Sequence, residues 1–261
     1  MARRAWPWIA LLGQAAGAAT GCEGTEVGNP VEQTPLTLLA RSSDEGRVQL
    51  GAEPGGDAGS ATAVGIDALW VVLGDLRFVM DEDCASDRDT RITVRGPIVA
   101  DLSAGPTELD ALLADGAYCR VRVPLARAQA DDLADDRAPD ALDGQSVLLE
   151  GRRPDGTAFS ILSRIKRELE LRTRGEPFTL ERASRAMILS LDVAAWLDGV
   201  DLDGAVPDAS GTVVIDEAHD RARLAAFEDN LAASLRLYRD LDEDGTLDDR
   251  ELSQELAGSA P

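Results

Sequence analysis

The chain is expected to fold as a mainly β protein: an antiparallel β-sandwich body, then a C-terminal amphipathic helix and an acidic loop. Three observations carry that expectation. Between residues 64 and 216, short apolar and β-branched runs are punctuated by Gly and Pro, as in sandwiches built from many short strands. Residues 116–125, GAYCRVRVPL, alternate strictly, with Tyr118, Arg120 and Arg122 on one face and Cys119, Val121 and Val123 on the other. That is the pattern of a half-buried strand. Beyond residue 217 the period changes: Leu224, Phe227, Leu231, Leu235 and Tyr238 are spaced 3, 4, 4 and 3 apart, which places them on one helical stripe.

Taken in order, the body opens with the β-like run Ala68–Met80, in which Gly74 marks a bulge or kink. The acidic stretch 81–89 is a loop. Ile92–Val94 and Ile98–Leu102 read as short strands on either side of Gly96–Pro97, and Leu109–Leu113 as a helical turn. After the alternating strand, the acidic segment 131–140 reads as a loop or a frayed helix. Gln145–Glu150 and Thr157–Ser163 flank Pro154-Asp155-Gly156, a turn signal that makes a hairpin of them. Further strands are expected at Arg167–Thr173, with Leu169 and Leu171 inward, at Phe178–Leu180, at Ala186–Asp192 and at Thr212–Asp216. A short helix is expected over 193–202, ending at Gly199. The pattern admits one sandwich over 64–216 or two split near 127–144. The stripe predicts a final helix from about Asp220 to Arg239, within a C-terminal unit of 217–261.

Composition narrows the function. The 261 residues hold 26 Lys+Arg against 48 Asp+Glu, a formal charge of −22. This excludes nucleic acid and anionic membrane surfaces as partners, since both attract basic patches. The chain has a single histidine, His219, and a single lysine, Lys166, which removes His-cluster metal sites and P-loop chemistry. No G-x-S-x-G, G-x-G-x-x-G or G-K-[ST] motif occurs. His219 stands at a strand–helix junction without a nucleophile motif beside it and reads as a surface residue. Among so many carboxylates no pair is informative as a glycosidase acid and nucleophile. Trp70 and Trp196 lie in apolar runs, which favours core over a sugar-stacking platform.

The N-terminus carries an address. Arg3 and Arg4 form a basic start, Ala5 to Ala19 an apolar stretch, and small residues lead to Cys22. Ala19-Thr20-Gly21-Cys22 resembles the bacterial lipobox, which implies cleavage after residue 21 and a lipid on Cys22; an ordinary secretory signal is the alternative. Gly24 to Pro30, G-T-E-V-G-N-P, resembles the segment that follows the lipidated cysteine in uncharacterised bacterial surface lipoproteins. Residues 22–63 then read as a polar tether and linker, with a short strand at Leu36–Ala40. The resemblance implies a bacterial cell-envelope protein held to the membrane by lipid, periplasmic or surface-exposed. Glu23, in place of aspartate after the cysteine, favours the outer membrane. With Cys22 lipidated, Cys84 and Cys119 remain as an even pair in an oxidising compartment, either bridged or as two buried thiols. The run from Trp70 to Leu125 resembles a domain of unknown function of secreted bacterial lipoproteins, through Asp101–Leu102 and the strand residues Gly116, Tyr118, Val121, Arg122 and Val123. It implies a β-sandwich and no activity.

One motif carries chemistry. From Asp240 to Glu251 the chain reads D-L-D-E-D-G-T-L-D-D-R-E, which matches the EF-hand calcium loop at every ligand position. Ca²⁺ needs six to eight hard oxygens. Asp240, Asp242 and Asp244 supply side chains at positions 1, 3 and 5, Thr246 its carbonyl, Asp248 a water-bridged contact, and Glu251 two carboxylate oxygens. Gly245 permits the left-handed turn, and Leu247 is the apolar residue that points into a core. The bland reading is a solvated acidic turn in which Asp248 and Glu251 form a helix capping box. Arg239, in place of an aromatic before the loop, implies a rotated entering helix. With no second loop to pair with, Ca²⁺ should bind weakly, at about 10⁻⁴ to 10⁻³ M, as a structural ion. The sequence therefore predicts a non-catalytic surface module that binds a protein or carbohydrate ligand. A hydrolase of polysaccharide or peptide with a structural calcium is the alternative class, and a calcium-dependent adhesin a third.

Overall fold

A computed structural model of the chain describes residues 31–41, 47–50, 62–80, 84, 92–133, 138–181 and 185–259. The leader, Cys22, the residues directly after it, the Gly-rich stretch 51–61 and most of the acidic loop 81–89 lie outside these. The strands are β1 (Val31–Arg41), β2 (Arg47–Leu50), β3 (Thr62–Leu73), β4 (Arg77–Met80), β5 (Ile98–Asp101), β6 (Thr107–Ala114), β7 (Gly116–Pro124), β8 (Val147–Arg152), β9 (Ala158–Ser163), β10 (Glu168–Arg172), β11 (Phe178–Leu180), β12 (Met187–Asp192), β13 (Val213–Ile215), β14 (Arg236–Arg239) and β15 (Glu255–Ser259). The α-helices are α1 (Val193–Leu197), α2 (Arg221–Ser234) and α3 (Asp249–Leu252).

The chain is mainly β, and its strands form two sheets packed face to face. The larger sheet runs β7, β10, β15, β14, β12, β1, β6, with β4 on the outer side of β7 and β11 continuing the edge that β10 starts. The smaller runs β13, β9, β8, β3, β2, with β5 also on β3. Both halves of the body contribute strands to both sheets, so residues 64–216 form one sandwich rather than two. One core joins them: Leu36, Leu38, Val71, Val121, Leu149, Ile161, Leu171 and Leu189 all belong to it. Most pairings are antiparallel; β1 with β12 and β13 with β9 are parallel. The hairpin of β8 and β9 turns at 153–156 as expected, with Asp155 accepting from Thr157 N–H at 2.8 Å.

Several local expectations are corrected. Leu109–Leu113 is not a helical turn but part of β6, paired with β1 along eight residues. Ala111 and Leu113 face the core while Leu112 stays 53 % exposed, so the apolar run mixes both faces of one strand. Ile92–Val94 forms only an isolated bridge, Val94 to Leu76. The strand expected at Leu36–Ala40 is present but longer, as β1 deep in the larger sheet, and the stretch after it, read as linker, holds β2, paired with β3. Arg185 secures the start of β1 from below, meeting Glu32 at 2.8 Å and Asp115 at 2.6 Å.

Tyr118 also changes face. The β4–β7 register skips Cys119, so Val79 faces Arg120 while Met80 faces Tyr118. This bulge turns Tyr118 inward, where it meets Phe78 edge-on at 6.1 Å and Phe178 at 5.7 Å. Cys119, the extra residue, is bonded to Cys84, so the expected pair is a disulfide.

The C-terminal helix is shorter than its stripe implied. Asp220 caps α2, accepting from Arg223 N–H at 3.2 Å, and Leu224, Phe227 and Leu231 face the core. The helix ends at Ser234, and Leu235 and Leu237 then turn inward with a period of two. Leu235 fits both periods, which hid the change, whereas Tyr238 belongs to the helical spacing only and lies on the outer face of β14, outside the core. Trp196 of α1 packs edge-on against Phe227 at 5.9 Å and donates its indole N–H to Ser234 Oγ at 2.6 Å. Residues 217–261 are therefore no appended unit, because β14 and β15 are interior strands of the larger sheet.

Two outcomes are expected from this architecture. Replacing both Cys84 and Cys119 by Ala frees a loop of 35 residues and should lower stability by about 3–4 kcal/mol, measured by urea denaturation. Starting the chain at residue 42 removes β1 and should abolish the cooperative unfolding that a chain starting at residue 31 shows in calorimetry.

Candidate metal centre

The acidic loop 240–251 joins two neighbouring strands of the larger sheet, β14 and β15. It enters from a strand rather than from a helix, so the rotated entering helix expected before Asp240 does not exist. Arg239 sits in β14 and donates to the Thr179 carbonyl at 2.8 Å. Backbone bonds clamp both ends of the loop: Asp240 N–H donates to Ala186 O at 3.1 Å, and Arg239 N–H to Gln254 O at 3.2 Å.

Within that frame the loop folds around its first residue. Asp240 is only 4 % exposed; Oδ1 accepts from Glu243 N–H at 2.7 Å and Oδ2 from Gly245 N–H at 3.1 Å. Glu243 and Gly245 both have positive φ, 61° and 71°, so the chain bends twice within three residues. A side chain at Gly245 would also crowd Thr37 Oγ1, 3.3 Å from where its Cβ would stand. The loop thus rests on the outward-facing Thr37 of β1. Nothing in the sequence marked Thr37 for this loop, although it lies in the short strand expected at Leu36–Ala40.

The structure brings Asp240, Asp242 and Asp244 together: one carboxylate oxygen from each lies within 4.8 Å of the others. Oxygens on opposite sides of a calcium ion at 2.3–2.6 Å would be about 4.6–5.2 Å apart, so the triad has the right scale for that ion. Asp242 and Asp244 are exposed; Asp244 Oδ1 accepts from Thr246 N–H at 2.8 Å and Thr246 Oγ at 2.6 Å. Asp248 and Glu251 fall outside the triad. Glu251, 1 % exposed, reaches across the loop to accept from Leu241 N–H at 2.8 Å and Asp248 N–H at 2.9 Å. Asp248 caps α3, and with Glu251 it forms the capping box that the sequence also permitted. Its second oxygen faces the Arg250 guanidinium at 3.0 Å. Leu247 is half-buried.

Burial holds the Asp240 carboxyl above its ordinary value; the Gly245 and Glu243 N–H groups oppose this, while the charges of Glu251 and Asp242 add to it. Asp244 is held below by the Thr246 hydroxyl and N–H, and Asp248 by the Glu251 N–H. The centre therefore combines hard oxygens only, one of them on a carboxylate whose charged form burial disfavours and a counter-charge would favour.

The other candidates stay outside any such arrangement. His219 is exposed, with Nδ1 2.8 Å from Asp216 Oδ1. Trp196 is fully buried and Trp70 nearly so. Among the described residues no helix is long and apolar enough to cross a membrane.

No family model matches the chain, and no curated protein matches it either. Among solved structures, MbnP from Methylosinus trichosporium aligns at 12 % identity with a TM-score of 0.37, over 74 % of this chain and 87 % of that one.

A raised folded pKa means that the stability Asp240 contributes is present below its ordinary value of 3.8 and is lost as pH rises through the folded value. In calcium-free buffer, wild type should therefore lose stability relative to Asp240→Asn between pH 4 and pH 7. Denaturation midpoints of both proteins at each pH check this, and a difference that stays constant with pH contradicts it.

Proposed function

We propose that this is an exported, lipid-anchored β-sandwich protein of the bacterial cell envelope that binds one structural Ca²⁺ through residues 240–251. Asp240, Asp242 and Asp244 would hold the ion, with Thr246, Asp248 and Glu251 completing the loop positions. The observation that carries the reading is the convergence of three carboxylates at calcium spacing in a loop whose sequence matches the EF-hand at every ligand position. The strand–loop–strand setting favours a structural ion over a sensor. Both flanks are interior strands of the larger sheet, so no pair of helices is free to open. Bound Ca²⁺ would instead offset the repulsion among the acids and lock the link between β14 and β15. The body would serve as a non-catalytic binding or structural module, tethered through a lipid on Cys22 that leaves it free to meet a protein or carbohydrate ligand.

Calorimetric titration of Ca²⁺ into the unlipidated chain from Glu23 onward tests the metal. One equivalent should bind at about 10⁻⁴ to 10⁻³ M and raise the melting temperature. Both effects should vanish in Asp240→Ala/Glu251→Ala, and the binding should also weaken in Asp242→Ala, whose exposed side chain caps no turn among the described residues. No heat and no melting shift at millimolar calcium would reduce the loop to an acidic cap on α3. Incorporation of radiolabelled palmitate into wild type but not into Cys22→Ser tests the anchor.

A further inference from the structure

The outer face of the larger sheet holds a cavity of about 340 Å³ where the ends of β1, β12 and β14 meet α1 and the C-terminus of α2. Register builds its floor: β12 places Asp192 beside Arg41 of β1 and Ser190 opposite Arg236 of β14, and Tyr238 lies two residues further along the same face. Asp198 and Asn230 form the wall.

Most of these side chains are already pinned. Arg41 pairs with Asp192 at 2.5 Å, and the other oxygen of Asp192 caps α1 by accepting from Ala195 N–H at 3.1 Å. Arg236 donates Nη1 to the carbonyls of Ala233 and Leu235, at 2.8 and 2.7 Å. Asn230 donates Nδ2 to the carbonyls of Trp196 and Asp198, at 3.2 and 2.6 Å, which leaves its Oδ1 as an acceptor. Two hydroxyls are not pinned. Ser190 is 3 % exposed and Tyr238 7 %, neither has a hydrogen-bond partner among the described residues, and both hydroxyl oxygens keep access to solvent in the cavity.

The charge of the lining is balanced, two guanidinium groups against two carboxylates, so a simple ion of either sign meets opposition as well as attraction. What the lining offers is a set of fixed donors and acceptors around two unspent hydroxyls and one aromatic ring. That set suits a neutral ligand whose own groups both donate and accept. The volume lies at the small end of the range for ligand sites, about 300–1,000 Å³, which suits one sugar ring. We propose that this cavity binds a saccharide residue, with Ser190 and Tyr238 donating to its hydroxyls. The proposal rests on the reading of the body as a binding module and is independent of the calcium loop.

Saturation-transfer NMR on the unlipidated chain tests it, using glucose, galactose, mannose and N-acetylglucosamine at about 10 mM, tenfold over a 1 mM dissociation constant. At least one sugar should receive saturation, and its affinity should fall about fivefold in Tyr238→Phe and in Ser190→Ala, the loss expected of one neutral hydrogen bond, with melting temperature unchanged. Transfer to none of the four sugars, equal transfer in both variants, or transfer only to acetate or methylammonium used as charged probes would overturn it. The calcium titration repeated on Tyr238→Phe separates the two readings: calcium heat without sugar transfer removes this proposal alone, and sugar transfer without calcium heat removes the metal alone.

Discussion

Strand β12 is where the two ends of the chain are joined. On one side it pairs in parallel with β1, the first described strand, and on the other it pairs with β14, which is followed by the acidic loop and β15. The larger sheet cannot be continuous until residues 151 positions apart, such as Leu36 and Met187, are side by side. Contacts of such long sequence separation are costly to close, and the structure reinforces this junction with packing on both faces. Leu36, Leu38, Met187, Leu189 and Leu237 fill the inner face, while the Arg41–Asp192 pair and the seat of Gly245 on Thr37 lie on the outer one. The acidic loop and the outer cavity are both consequences of that junction, since β1, β12 and β14 supply the support of one and the floor of the other.

The acidic composition has a structural use that involves no metal. Carboxylates recur at turns, where they accept backbone N–H groups that the turn leaves unpaired. Asp75 accepts from Gly96, Asp101 from Ser103 and Ala104, Asp155 from Thr157, Asp201 from Gly204, and Asp208 from Ser210 and Thr212. The Thr157 N–H holds the Asp155 carboxyl below its ordinary range, and the Gly204 N–H does the same for Asp201. Groups shifted this way stabilise the fold above their ordinary pKa and lose that contribution on acidification. Asp201 is further bridged by Arg223, which also meets Asp220 at 2.5 Å, so a guanidinium supplies the counter-charge there. Loop 240–251 differs in burying its first and last carboxylates with no cationic side chain against either among the described residues.

Much of the fold was legible in the residues. Alternation located β7 and β10, because a strand with one buried face writes its period of two into the sequence, and the Pro154-Asp155-Gly156 turn located the hairpin of β8 and β9. The parity of the cysteines and the EF-hand spacing singled out Cys84, Cys119 and the six loop residues, since redox pairing and oxygen coordination each demand particular residue types. The errors fell where two periods coexist. Leu109 and Leu112–Leu113 mix an outward leucine with inward ones, and Leu235 satisfies a helix and a strand alike. Tyr118 was assigned to the wrong face because a bulge at Cys119 shifts the alternation by one, and a bulge depends on the partner strand.

By itself, then, the sequence determined the β-rich class, which two cysteines stood available as a pair, the turn chemistry and the EF-hand-like spacing of the acidic loop, all of which follow from local residue type and spacing. Tertiary structure alone decided that the short strand expected at Leu36–Ala40 is the long interior strand β1, that one sandwich rather than two is formed, and that the acidic loop hangs between two strands over Thr37. It also decided that Ser190, Tyr238, Arg41 and Arg236 share one cavity. Those outcomes depend on which strand lies beside which, and pairing is settled by the free energy of the whole sheet and core, to which no short stretch of sequence has access.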